Sequence, residues 1–255
     1  MFELTHSSRC ILRKPCGSAG SDQCNRFCSS YIAIHGIGGD GGRNGAACIP
    51  EEYRLLTLDS SPARGGQPEV YTALSDYVAT FVRQFDPDGP AIKSLYLYSR
   101  EPGTGKTTTA AALLNEYLTA YYIGSVSRKR NVSERPIYFV DVNEWQTDYN
   151  AFNRPRVPES IAASAAERYY LTQRIGMSAS YVVLDDIGVR DASEAFRADL
   201  HTLINARIKD GLPTIYTSNI AMSEMETLFD RRLADRIRDM TLELAFGGES
   251  KRGIR

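Results

Sequence analysis

The residues best suited to chemistry lie in Glu101-Pro102-Gly103-Thr104-Gly105-Lys106-Thr107-Thr108. An apolar run, Leu95–Tyr98, precedes them and a helix-like segment follows. Strand, glycine loop, Lys-Thr, helix is the order a phosphate cradle requires: N–H groups of the loop and of the helix N-terminus point at anionic oxygens. In that frame Lys106 reaches β- and γ-phosphates, and the Thr107 hydroxyl holds Mg²⁺. Pro102, Gly103, Thr104, Gly105 and Thr108 complete the cradle. The pattern G-x-x-x-x-G-K-T breaks at its first position, where Arg100 replaces glycine and its side chain would crowd the turn leaving the strand.

A second group is Tyr181-Val182-Val183-Leu184-Asp185-Asp186. The apolar residues form a buried strand, and two carboxylates appear where it leaves the sheet, the end at which parallel sheets bind ligands. Asp185 is assigned to the metal and Asp186 to polarising a water for attack on the γ-phosphate. A third, Thr217-Ser218-Asn219, ends another strand. Asn219 could orient the water or sense the γ-phosphate, although an Asx turn would also place an asparagine there. A fourth is Phe229–Arg238, where Arg236 or Arg232 could reach a phosphoryl group on a neighbouring subunit. An exposed helix laced by Asp–Arg pairs explains the same residues.

All five cysteines fall in the first 48 residues. Cys10, Cys16, Cys24 and Cys28 supply four soft ligands suited to a structural, tetrahedral Zn²⁺, with His6, His35 and Cys48 as spares. Metal binding could supply folding energy to so short and Gly-rich a segment. Unligated thiols and an iron–sulfur cluster are the alternatives. Two groups combine cations with aromatics, as single-stranded nucleic acid requires: Arg128-Lys129-Arg130, and Arg154 and Arg156 near Tyr149 and Phe152. Solvated loops account for them equally well.

The elements that must position these residues alternate. Strands are expected at Leu95–Tyr98, Ile137–Asp141, Tyr181–Asp185, Thr214–Ser218 and Thr241–Ala245, with helices at Lys106–Ile123, Ile161–Ile175 and Glu194–Asp210. That order implies a five-stranded, parallel, doubly wound sheet. Before it, Val70, Leu74, Tyr77, Val78, Phe81, Val82 and Phe85 share one helical face, and Pro68 suits the first turn. The expected division is a Cys-rich module over 1–59, a linker over 60–68 and a nucleotide-binding domain over 69–255 that opens with a helix and turn at 69–92. A strand is expected at Ser29–His35. The net charge of −1 confines any nucleic-acid contact to a local patch. No apolar run is long enough to span a membrane and no signal peptide is evident, so a cytoplasmic, reducing compartment is expected.

Taken in order, Glu101–Thr108, Asp185-Asp186-Ile187-Gly188, Thr217-Ser218-Asn219 and Arg232-Leu233-Ala234-Asp235-Arg236-Ile237 resemble the AAA+ helicase loaders of bacteria and their phages, the DnaC/DnaI-like proteins related to IstB-type transposition ATPases. The likeness runs from about Lys93 to the C-terminus. It implies an AAA+ P-loop NTPase core without a helical lid domain. Asp185-Asp186 would be the Walker B element, Asn219 sensor 1 and Arg236 the arginine finger, with Arg232 as the alternative. Asp186 replaces the glutamate common in AAA+ proteins, which fits slow turnover. The resemblance also implies a zinc-containing, helicase-binding N-terminal domain and DNA contacts between the second strand and Walker B. The terminal segment could place Arg252 near nucleotide.

The expectation is therefore an ATPase that uses ATP and Mg²⁺ to load a replicative DnaB-type helicase onto single-stranded DNA. It would assemble with copies of itself in the cytoplasm of a bacterial cell or phage-infected host. The alternatives are an IstB-like transposition regulator and a nucleotide-binding scaffold without significant hydrolysis.

Overall fold

A computed structural model describes residues 6–188 and 192–248; Arg252 lies outside them. In chain order the helices are α1 (Ser29–His35), α2 (Gly42–Ala46), α3 (Pro68–Ala79), α4 (Lys106–Ser127), α5 (Val142–Asn153), α6 (Glu159–Ser178), α7 (Glu194–Lys209) and α8 (Arg231–Met240). The strands are β1 (Ser94–Tyr98), β2 (Ile137–Asp141), β3 (Tyr181–Asp185), β4 (Thr214–Ser218) and β5 (Thr241–Ala245). All strands are parallel, in the order β2-β3-β4-β1-β5. Each of β3 and β4 is buried along its whole length, as expected of strands covered on both faces. The register pairs Leu97 with Thr217 and Tyr98 with Ser218, so the ends of β1 and β4 lie level. Because β4 separates β1 from β3, the loops after these three strands emerge side by side. That is where an open sheet binds ligands.

The chain forms two compact units, Met1–Ile92 with Ala111–Tyr138, and Lys93–Ala110 with Phe139–Arg255. This division differs from the expected one. The first unit combines the Cys-rich segment, α3 and the helical residues from Ala111 onward. Fully buried Asn115 donates to the carbonyls of Tyr53 and Leu56 at 3.0 and 2.8 Å and accepts from Asn44 at 2.8 Å. Phe81 meets Tyr117 edge to face at 5.2 Å. A side chain at Gly124 would collide with the Phe85 ring, so the glycine lets that ring lie against the helix. The expected linker, 60–68, holds buried Ser61, Ala63 and Gln67 and a short 3₁₀ turn, Arg64–Gly66. The expected strand at Ser29–His35 is helix α1: Tyr31, Ile34 and His35, three and four residues apart, are buried together.

In the first unit Cys10, Cys16, Cys24 and Cys28 line one cavity with Leu12 and Tyr31. No three Cys, His, Asp or Glu side chains are grouped to hold a metal among the described residues, and every cysteine is a free thiol. The expected zinc site is thus not supported: the thiols converge without closing into a ligand set. Burial pushes the Cys10 thiol up to about 11, with Cys28, Cys24 and Cys16 adding to the effect. Holding the Cys10 sulfur as a thiolate near neutral pH would require a cation beside it.

In the second unit, α5 is a helix the sequence pattern did not reveal. Asp141 caps it by accepting from the N–H groups of Asn143 and Glu144, and Val142 and Trp145 are its buried residues. Among the described residues no helix is long and apolar enough to cross a membrane.

Candidate nucleotide site

The loop between β1 and α4 turns on two glycines. Gly103 and Gly105 adopt φ of 74° and 101°, which residues with a Cβ reach only at a cost. The Thr109 N–H bonds the Gly105 carbonyl at 2.9 Å, so the helix begins as the loop ends. Lys106 is buried, and its Nζ donates to the carbonyls of Ser99 and Glu101, each at 3.3 Å, and to Asn219 Oδ1 at 2.8 Å. Thr104 is buried, while Pro102 is exposed and Thr108 half-buried.

Arg100 does not crowd this loop. It is absent from the positive-φ residues, so its position makes no demand for glycine. Its exposed guanidinium donates to the Tyr98 hydroxyl at 3.1 Å and to Glu224 at 3.3 Å.

The two acids at the end of β3 have different surroundings. Buried Asp185 accepts from Thr107 Oγ1 at 3.1 Å through one oxygen and from Thr217 Oγ1 at 2.7 Å through the other. Burial pushes its carboxyl up to about 6. The two threonine bonds oppose that shift, and the charges of Asp141 and Asp186 add to it. Asp186 is the next residue and has φ of 58°, an uncommon conformation that costs free energy. Its N–H donates to Thr217 Oγ1 at 2.8 Å, which fixes the turn, and its Oδ2 accepts from Asn143 Nδ2 at 3.1 Å.

Five of the sequence-selected residues therefore come together: Lys106, Thr107, Asp185, Asp186 and Asn219. Sequence reading missed Asn143 and gave Thr217 no separate role. The only signal for Thr217 was its place beside Asn219. Asn143 follows a strand-ending Asp141 in a segment where no helix was expected. Arg236 is elsewhere, exposed on α8, with its guanidinium donating to Asn205. The cation–aromatic groups also part company. Arg128 stacks over Phe85 at 4.4 Å in the first unit. In the second unit Tyr149 and Phe152 pack on Tyr169 at 5.5 and 5.3 Å, near exposed Arg154 and Arg156.

A scan against protein-family models finds no match, and a search of curated proteins finds none. Solved structures do match, and the likeness is one of fold. DnaI is 20% identical, with a TM-score of 0.55 over 82% of this chain and 100% of that one. The DnaC helicase loader is 18% identical, with a TM-score of 0.54 over 78% of this chain and 100% of that one. AMPPCP-bound DnaA from Aquifex aeolicus is 14% identical, with a TM-score of 0.50 over 81% of this chain and 54% of that one.

Proposed function

We propose that this chain is an ATPase that loads a replicative DnaB-type helicase onto single-stranded DNA. The observation that carries this reading is the convergence of Lys106, Thr107, Asp185, Asp186 and Asn219 around one glycine loop, in a fold shared with DnaI and the DnaC helicase loader. The loop N–H groups and Lys106 bind the phosphates. The Thr107 hydroxyl and the Asp185 carboxylate already face each other and form a hard-oxygen pair that fits Mg²⁺. When bound, that ion offsets phosphate charge. Asp186 accepts the proton of the attacking water as the γ-phosphorus–oxygen bond to ADP breaks, and Asn219 orients that water from beside Lys106. Arg236 acts on the nucleotide of a neighbouring copy, so the competent form is a homo-oligomer in the cytoplasm. DNA contacts draw on Arg154 and Arg156 beside Tyr149 and Phe152.

A nucleotide-binding scaffold with little hydrolysis is the second reading, and the Asn143 bond that restrains Asp186 favours it. Zinc is outside the reading, because Cys10, Cys16, Cys24 and Cys28 form no ligand group here; metal analysis of the purified protein decides the point. Steady-state ATPase measured with and without single-stranded DNA, together with co-purification of a hexameric helicase, tests the loader. Nucleotide binding without turnover under any condition leaves the scaffold. Recovery of a transposase in place of a helicase sinks loading.

A further inference from the structure

Helix α8 carries Arg231, Arg232, Arg236 and Arg238, and the structure treats them differently. Arg238 bonds the Asp235 carboxylate at 2.7 Å, and Arg231 approaches the same group at 3.9 Å. Both have a counter-charge. Arg232 has no side-chain hydrogen bond or ion pair among the described residues. Arg236 alone donates to a neutral acceptor, the amide oxygen of Asn205 on α7. A guanidinium is a rigid fork of N–H donors with a delocalised charge. An amide oxygen takes one of those donors and orients the plane. It adds no negative charge, so the full charge and the other donors stay available for phosphate. A carboxylate in its place would also orient the fork but would neutralise it.

The same face of α7 holds α8 a second time. His201, one turn before Asn205, meets Asp230 at 2.8 Å, and Asp230 caps α8 by accepting from the Leu233 N–H at 3.0 Å. The helix that presents Arg236 is thus fixed at its start, and the side chain is fixed at its tip. Prior orientation of a charged donor lowers the reorganisation needed when phosphate charge shifts during reaction.

We propose that Asn205 is a positioning residue that selects Arg236 over Arg232 and holds it oriented but un-neutralised for the phosphates of a nucleotide on a neighbouring copy of the chain. This rests on the trans role given to Arg236 above.

The test uses full-length protein and measures kcat and KM for ATP in the assembled state, nucleotide affinity of dilute monomer, and Tm. Asn205→Ala lowers assembled kcat about fivefold, the effect of losing one ordinary hydrogen bond, with KM and monomer affinity unchanged. Asn205→Asp keeps α7 joined to α8 through an ion pair and holds Tm, yet lowers kcat more than alanine does. Arg232→Ala stays near the parent. A merely structural Asn205 would be rescued by aspartate, so parental kcat in Asn205→Asp overturns the proposal, as does an Arg232→Ala defect as large as that of Arg236→Ala. An Arg236→Ala variant with undiminished assembled kcat overturns the trans role itself, and the proposal with it. If Asn205→Ala does not fold, the aspartate variant carries the same decision.

Discussion

Removing Asn143 should free the Asp186 carboxylate, the base in the proposed reaction. Asp186 has a left-handed backbone, and in this conformation Asn143 Nδ2 donates to its Oδ2 at 3.1 Å. That bond fixes the direction of the carboxylate and must be given up before it can turn towards a water. Hydrogen bonds to charged groups contribute about 1.5–3 kcal/mol, but both partners here meet solvent, so a value near 1 kcal/mol is the better choice. That corresponds to about a fivefold rise in basal turnover for Asn143→Ala. The fold should survive, because α5 is capped by Asp141 through backbone N–H groups that the substitution leaves in place. The assay is steady-state phosphate release without DNA or partner, alongside nucleotide affinity. Asp186→Asn is the control: asparagine tolerates the same backbone conformation, so binding persists while turnover is lost. Basal turnover that stays level or falls in Asn143→Ala, with affinity intact, would show that the bond orients a productive base and does not restrain it.

Three further outcomes follow from the packing. Arg207 is fully buried and donates to Thr214 Oγ1, to the Gly176 and Ala179 carbonyls at 2.8 Å, and to the Pro213 carbonyl at 2.7 Å; Arg207→Leu strands these acceptors and should cost about 3 kcal/mol in denaturant unfolding. Burial lowers His35 to about 4, below its unfolded value, and its neutral Nε2 accepts the Ile11 N–H at 3.2 Å. The unfolded chain therefore binds the extra proton, and stability present above pH 6.5 falls towards pH 4 by about 3 kcal/mol; His35→Gln should flatten that slope in unfolding curves taken across the range. Arg100→Gly should leave fold and nucleotide affinity unchanged by titration calorimetry, since the Arg100–Glu224 pair is solvent-exposed and screened.

The sheet and most of the site were legible because both are written locally. The run Tyr181–Leu184 is apolar throughout because β3 is covered on both faces, and two acids directly after it emerge at the carboxyl end of the sheet. The glycine loop announces itself because Gly103 and Gly105 need a backbone that other residues resist. What stayed hidden depends on distant partners. Segment 60–68 has the composition of a linker, yet Ser61 and Gln67 are buried, and Asn44 is fixed by Asn115, which lies 71 positions away. The apolar run Tyr31–Ile34 suited a strand until burial of Tyr31, Ile34 and His35 selected the helix. Asn143 had no motif at all, because its role is defined only by where β2 sits relative to β3.

The loop also shows which parts of a motif are physical requirements. The pattern asks for glycine at position 100, yet the left-handed residues are Gly103 and Gly105, and helix α4 starts at Lys106 regardless. With ordinary backbone at 100, a side chain there need only find a way out. Arg100 does so across the top of β1, against Tyr98 and Glu224. Glu224 belongs to the segment that follows Asn219, the residue bonded to Lys106. The substituted position therefore ties the entrance of the loop to the chain leaving β4, on the side opposite the acid pair. Its cost to the loop is small because the left-handed backbone begins three residues later, at Gly103.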